Sequence, residues 1–68
     1  MLDWNDLRYF LAVARSGSTL AASRSLRVAQ ATVSRRIIAL EESLGTALFV
    51  RSPSGYTLSV RGQAMLSG

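Results

Sequence analysis

The stretch AQATVSRRIIALEESL, residues 29–44, decides how this chain folds. Within it Val33, Ile37, Leu40 and Leu44 recur at i, i+4, i+7 and i+11, which at about 100° per residue stacks them on one inward-facing side of a helix. Ala31, Arg35, Ala39 and Glu42 fall roughly opposite, with Gln30, Thr32, Ser34 and Arg36 spread between. The outward N-terminal half therefore joins small residues to long hydrogen-bond donors, an amide at the start and guanidinium groups a turn later. So low a profile with such donors fits a DNA major groove and can address base edges. The spacing predicts a recognition helix over about residues 30–44.

On its C-terminal side Gly45 ends the helix and the period changes. The runs LFVR (48–51) and YTLS (56–59) are β-prone and flank Ser52-Pro53-Ser54-Gly55, which has the residues of a reversing loop. They predict a hairpin, or wing. Leu58 and either Leu48 or Phe49 are expected to turn back onto the helices, because a lone two-stranded hairpin is marginal in water. Ser59 can cap a last helix that has about two turns before Gly68, so the chain is expected to stop early in it.

On the N-terminal side, Leu7, Phe10, Leu11 and Ala14 form a helical stripe with Asp3 and Asp6 at its start, where the macrodipole favours acids. A first helix is expected over residues 4–15. Gly17 can take the left-handed conformation that ends it, and Ser18 or Thr19 can cap the next helix, over about residues 20–26. Its inward positions are expected to be Leu20, Ala22, Ser23 and Leu26. Only Arg27-Val28-Ala29 separate it from the third helix, so the two must cross steeply in a helix-turn-helix.

Composition narrows what such a domain can do. At 68 residues there is room for one small domain, and 49% hydrophobic with 18% charged residues is the balance of a folded chain. Cysteine and histidine are absent, which excludes disulfides, thiolate metal sites and zinc fingers. No cofactor is expected. No apolar run approaches the roughly 18 residues of a membrane span, and the acidic N-terminus is unlike a signal peptide, so the expected compartment is the cytoplasm with no membrane partner. The formal net charge is +4, and all eight basic residues are arginine. Six of these lie between Leu7 and Leu40 with no carboxylate among them. Arginine favours planar, bidentate recognition of phosphate or guanine, so a polyanion is the expected partner.

The spaced residues Leu26, Val28, Gln30, Val33-Ser34, Ile37, Leu40-Glu41, Leu44-Gly45, Leu48-Phe49 and Arg51, followed by Leu58-Ser59 and Gly62, resemble the N-terminal winged helix-turn-helix of LysR-type transcriptional regulators. Leu7-Arg8-Tyr9-Phe10 and Ser16-Gly17-Ser18 fit as well, so the resemblance covers essentially the whole chain. It implies a mainly α fold: a three-helix winged helix-turn-helix with a two-stranded β-hairpin wing over residues 1–58. Over 59–68 it implies the truncated start of a C-terminal linker helix that serves dimerisation. It further implies a bacterial transcription factor that binds double-stranded promoter DNA as a homodimer or tetramer, with an effector-binding domain beyond the linker. The fragment alone is expected to be weakly associating or monomeric. Family positions matching Gln30, Ala31, Ser34 and Arg35 contact DNA from the recognition helix, and the wing meets backbone or minor groove. Ala29 stands where a capping serine is frequent, Ala31 where proline is common and Ser54 where the wing often carries a basic residue. The first two suggest a weakly fixed helix start.

The candidate DNA-binding set is therefore Gln30, Ala31, Thr32, Ser34, Arg35 and Arg36 on the helix, with Arg51 and Ser54 on the wing. Each has a plainer alternative. Gln30 can satisfy a backbone group at an uncapped helix start, Arg35 can be merely solvated, and Arg36 can cover apolar surface with its methylenes. Arg51 is placed equally for phosphate and for Glu41 or Glu42. Trp4 and Tyr9 are read as packing residues, and Val33, Ile37, Leu40, Leu44, Leu7 and Leu11 as core. A winged helix used for protein–protein contact is the alternative function, but it calls for an apolar or acidic outer face on the third helix. An enzyme is not expected, since no nucleophile and base are paired.

Overall fold

The computed structural model describes residues 4–67. Asp3, expected to support the first helix turn, and Gly68, expected to end the linker segment, lie outside the described residues. The elements run α1 (Trp4–Ser16), α2 (Thr19–Leu26), α3 (Gln30–Leu44), β1 (Phe49–Ser52), β2 (Gly55–Leu58) and α4 (Val60–Ser67).

Each boundary has a local cause. Asp6 sits in the first turn of α1 and Arg15 in its last, both matched to the macrodipole. Gly17, at φ 79°, turns the chain sharply, and Ser18 rather than Thr19 caps α2 by accepting the N–H of Ala21 at 3.0 Å. Arg27 closes α2 in the left-handed conformation at φ 59°, a place usually left to glycine or asparagine. Ala29 gives α3 no side-chain cap, as its apolar side chain requires, whereas Gly45 ends α3 at φ 70°. Ser59 begins α4 by accepting the N–H of Gly62 at 3.0 Å.

The hairpin is antiparallel, with Phe49 opposite Leu58, Val50 opposite Thr57, Arg51 opposite Tyr56 and Ser52 opposite Gly55. Only Pro53 and Ser54 remain as its loop, shorter than the four residues expected, because Ser52 and Gly55 are already paired. The wing is tied down both near its tip and at its base. Tyr56 N–H donates to the Gly17 carbonyl at 2.8 Å and Ser59 N–H to that of Leu48 at 2.9 Å.

Phe10, Val13, Ala22, Val33, Ile37, Leu40, Leu48 and Phe49 form the buried centre, so α1, α2, α3 and the wing share one core. Both Leu48 and Phe49 enter it, and Phe49 packs its ring 5.5 Å from that of Phe10 and 5.8 Å from that of Tyr56. Leu7, Leu11, Leu26 and Leu58 are half-buried against this centre.

Five expected packing positions differ. Leu44 is 42% exposed, because it occupies the last turn of α3, beyond the part of the helix that α1 and α2 cover. Leu20 is 45% exposed and Thr19 takes its inward place, since α2 is phased with Thr19, Ala22 and Ser23 toward the core. Trp4 is 69% exposed and, at the first turn of α1, borders an open cleft with Arg8, Leu11, Arg15 and Leu26. Leu7 and Leu11 flank the core rather than filling it.

Candidate nucleic-acid interface

The N-terminal turns of α3 present the expected helix face. Gln30, Ala31, Arg35 and Arg36 are exposed and Thr32 and Ser34 half-buried, while Val33 and Ile37 on the other side are wholly buried. The helix therefore offers a shallow polar surface carried on a fixed base. Ala29 and Ala31 keep that surface low where the helix begins.

The four polar groups of greatest reach are held differently. Gln30 does not satisfy a backbone group; its Nε2 donates to Thr19 Oγ1 on α2 at 3.0 Å. Arg35 has no hydrogen bond, ion pair or ring contact for its guanidinium among the described residues, so this group is available to an incoming acceptor. Arg36 is turned back toward α1, with its guanidinium 5.7 Å from the centre of the Tyr9 ring and 3.9 Å from Asp6 Oδ1. Its charged head, rather than its methylenes, thus makes the contacts seen here, and about half of the side chain stays exposed.

Arg51 on β1 takes the acidic partner rather than standing free, and the partner is Glu41, not the exposed Glu42. Its Nη2 lies 3.3 Å from Glu41 Oε1, and its guanidinium lies 5.3 Å from the centre of the Tyr56 ring. About half of the Arg51 side chain stays exposed, at 47%, so the pair leaves donors facing solvent. Ser54 sits at the wing tip, with its hydroxyl 3.0 Å from that of Ser52, which also donates to the Gly55 carbonyl at 3.2 Å. The structure thus gathers the six helix candidates on one element and leaves Arg51 and Ser54 on another.

Sequence reasoning missed two residues. Thr19 supports the Gln30 side chain from eleven positions upstream, and no local pattern announces that. Glu41 binds the backbone of Leu48 and Phe49 with Oε2 at 2.8 and 3.3 Å, joining α3 to the wing. Its spacing from Arg51 gave a signal for the ion pair but none for the backbone bonds.

Electrostatically the described surface carries a clear excess of positive charge, with Glu42 its one acid outside the ion pairs. Asp6 and Glu41 engage Arg36 and Arg51, while Arg8, Arg15, Arg24, Arg27, Arg35 and Arg61 are exposed and outside ion pairs among the described residues. An uncompensated arginine field of this kind attracts a phosphate backbone before any specific contact forms.

Three helices, the last two joined by a three-residue turn, and a hairpin packed against them define a winged helix-turn-helix. Residues 4–63 match the family of bacterial regulatory helix-turn-helix proteins called lysR, and the chain belongs to that family. It is 45% identical over 65 residues to the HTH-type transcriptional regulator TfdS of Cupriavidus pinatubonensis, covering 96% of this chain and 22% of the relative. Against the regulator ClcR of Pseudomonas putida the identity is 42%, again over 96% of this chain and 22% of the relative. The chain therefore spans about a fifth of the length of these curated relatives. Its fold superposes on the DNA-binding domain of CbnR in a DNA complex with a TM-score of 0.92 and 39% identity, covering 97% of this chain and 76% of that one. The BenM DNA-binding domain on its benA site gives the same TM-score at 33% identity, covering 97% and 74%. Among the described residues no helix is long and apolar enough to cross a membrane.

Proposed function

We propose that this chain reads promoter DNA for a LysR-type transcriptional regulator, with the exposed N-terminal half of α3 in the major groove and the wing on the backbone. The observation that carries this reading is Arg35: an exposed guanidinium without a partner, on the side of α3 opposite the buried Val33 and Ile37. Gln30, five residues earlier in the first turn, adds an amide. Together they supply the paired donors and acceptors that base edges match. Ala31, Thr32 and Ser34 line the rest of the contact and let the helix approach closely. Arg36, Arg51 and Ser54 hold phosphates at its borders, the first two with donors left over from their intramolecular pairs.

Residues 1–58 form the reading head in this account, and 59–68 begin the linker helix through which two heads pair. The whole regulator would act in the bacterial cytoplasm as a dimer or tetramer, as a binding protein and not a catalyst. This segment by itself is monomeric and binds weakly. Two short helical turns do not bury a pairing seam, and unlinked heads lose the gain of effective concentration. Sedimentation at micromolar concentration tests the first point, where a stable dimer would contradict it. Fluorescence anisotropy on duplex DNA against rising salt tests the second: affinity falls steeply if arginines displace counterions, and a flat response would overturn the reading.

A further inference from the structure

The first residue of α3 is anchored from outside its own helix. Ala29 offers Gln30 no capping neighbour, yet Gln30 Nε2 is bound to Thr19 Oγ1 at 3.0 Å across the turn between α2 and α3. Thr19 is itself fixed. It is 5% exposed, the first residue of α2, and follows Ser18, whose hydroxyl caps that helix on the Ala21 N–H.

We infer that Thr19 is a positioning residue that sets the base preference of Gln30, an inference that rests on the DNA-reading role proposed above. A carboxamide has two N–H donors and one carbonyl acceptor. Spending one N–H on Thr19 leaves Oε1 and the second N–H side by side, the donor–acceptor pair that matches N6 and N7 of adenine. The reverse orientation, with the carbonyl toward the threonine hydroxyl, would present two N–H donors, which guanine accepts through O6 and N7. An untethered glutamine turns freely among these options and loses that freedom only on binding, at the expense of affinity and selectivity. Thr19 never touches a base in this account. Its hydroxyl selects which face of the Gln30 amide is shown.

Thr19→Val keeps the β-branched shape and removes the hydrogen-bonding oxygen, and Thr19→Ser keeps the oxygen. The probe is a pool of duplexes with a randomised central stretch, incubated at low salt with the 68-residue chain, the bound fraction being sequenced. The same is done for Thr19→Val, Thr19→Ser, Gln30→Ala and Thr19→Val/Gln30→Ala. The wild-type chain is expected to enrich adenine at one position, and Thr19→Val to lower that enrichment about tenfold while leaving the other positions unchanged. Thr19→Ser retains the preference. In the Gln30→Ala background Thr19→Val has no further effect, which a merely structural role for Thr19 would not produce. Circular dichroism melts accompany each variant, and if Thr19→Val unfolds, Thr19→Ala carries the same comparison. Enrichment by Thr19→Val equal to wild type, or an equal loss with and without Gln30, overturns the role of Thr19 alone. A wild-type chain that enriches no sequence overturns the DNA-reading proposal as well.

Discussion

Glu41 Oε2 on α3 accepts the backbone N–H of Leu48 at 2.8 Å, where the chain enters the wing. The same oxygen lies 3.3 Å from the N–H of Phe49, and the other oxygen pairs with Arg51. One carboxylate thereby fixes the hairpin relative to the helix. Its side chain is only 15% exposed, so its bonds are little screened. Glu41→Ala leaves buried donors unpaired and is expected to cost about 1–3 kcal/mol. At roughly 4–8 °C per kcal/mol for so small a domain, the melting temperature drops visibly. Glu41→Gln, which keeps an acceptor, loses less, and Glu42→Ala at an exposed position stays within about 0.5 kcal/mol. Thermal melts by circular dichroism rank the three; equal effects of Glu41→Ala and Glu42→Ala would remove the staple from the account.

Gly62 is the buried residue of α4, and a Cβ there would run into the Leu48 carbonyl oxygen and lie 2.9 Å from Leu58 Cδ2. The Leu48 carbonyl cannot retreat cheaply, because it accepts the N–H of Ser59, whereas Leu58 Cδ2 ends a side chain that can turn aside. Gly62→Ala is therefore destabilising by about 1–3 kcal/mol, despite the better helix propensity of alanine. Urea denaturation measures it, and an unchanged or higher midpoint would contradict the close packing of α4 on the wing.

Ile37 is wholly buried in α3. Ile37→Ala should cost roughly 2–5 kcal/mol, comparable to the whole stability of so small a domain, and leave the chain largely unfolded at room temperature. A melt within a few degrees of the parent would mean that the buried face is misassigned.

What could be read from the sequence followed from short-range periodicity. The α3 stripe of Val33, Ile37 and Leu40 and the Gly17 and Gly45 stops are written within a few residues and fall where the pattern puts them, and the two strands fall within one residue of it. Periodicity assigns a face but not how far a neighbour covers it. Leu44 therefore fits the stripe and is nonetheless exposed, and α2, too short for its phase to be certain, turned Leu20 outward. The left-handed Arg27 carries no glycine to mark it. Thr19 with Gln30 and Glu41 with Leu48 depend on tertiary approach and became visible only in the folded chain.

Ala29 stands at the start of α3 without a side-chain acceptor. Ala29→Ser supplies one to the N–H groups of the first turn and should stabilise the domain by about 1 kcal/mol. A rise in melting temperature of roughly 4–8 °C is expected. No rise, or a fall, would show that the helix start is already satisfied.

The central claim is that α3 reads bases while the wing holds phosphate, and paired substitutions at Arg35 and Arg51 test it most directly. Binding is measured by fluorescence anisotropy at several salt concentrations, on a duplex selected by the chain and on its scrambled counterpart, with two heads joined by a linker helix. Arg35→Ala removes a guanidinium able to pair with a guanine edge, worth about 1–3 kcal/mol of discrimination. It should collapse the ratio of selected to scrambled affinity by about tenfold or more. Arg51→Ala should weaken both duplexes equally and reduce the slope of log affinity against log salt by about one unit, as one lost phosphate contact does. An Arg35→Ala variant that keeps the full ratio would contradict the account, because the unpaired guanidinium on α3 would then be gripping the backbone or nothing at all.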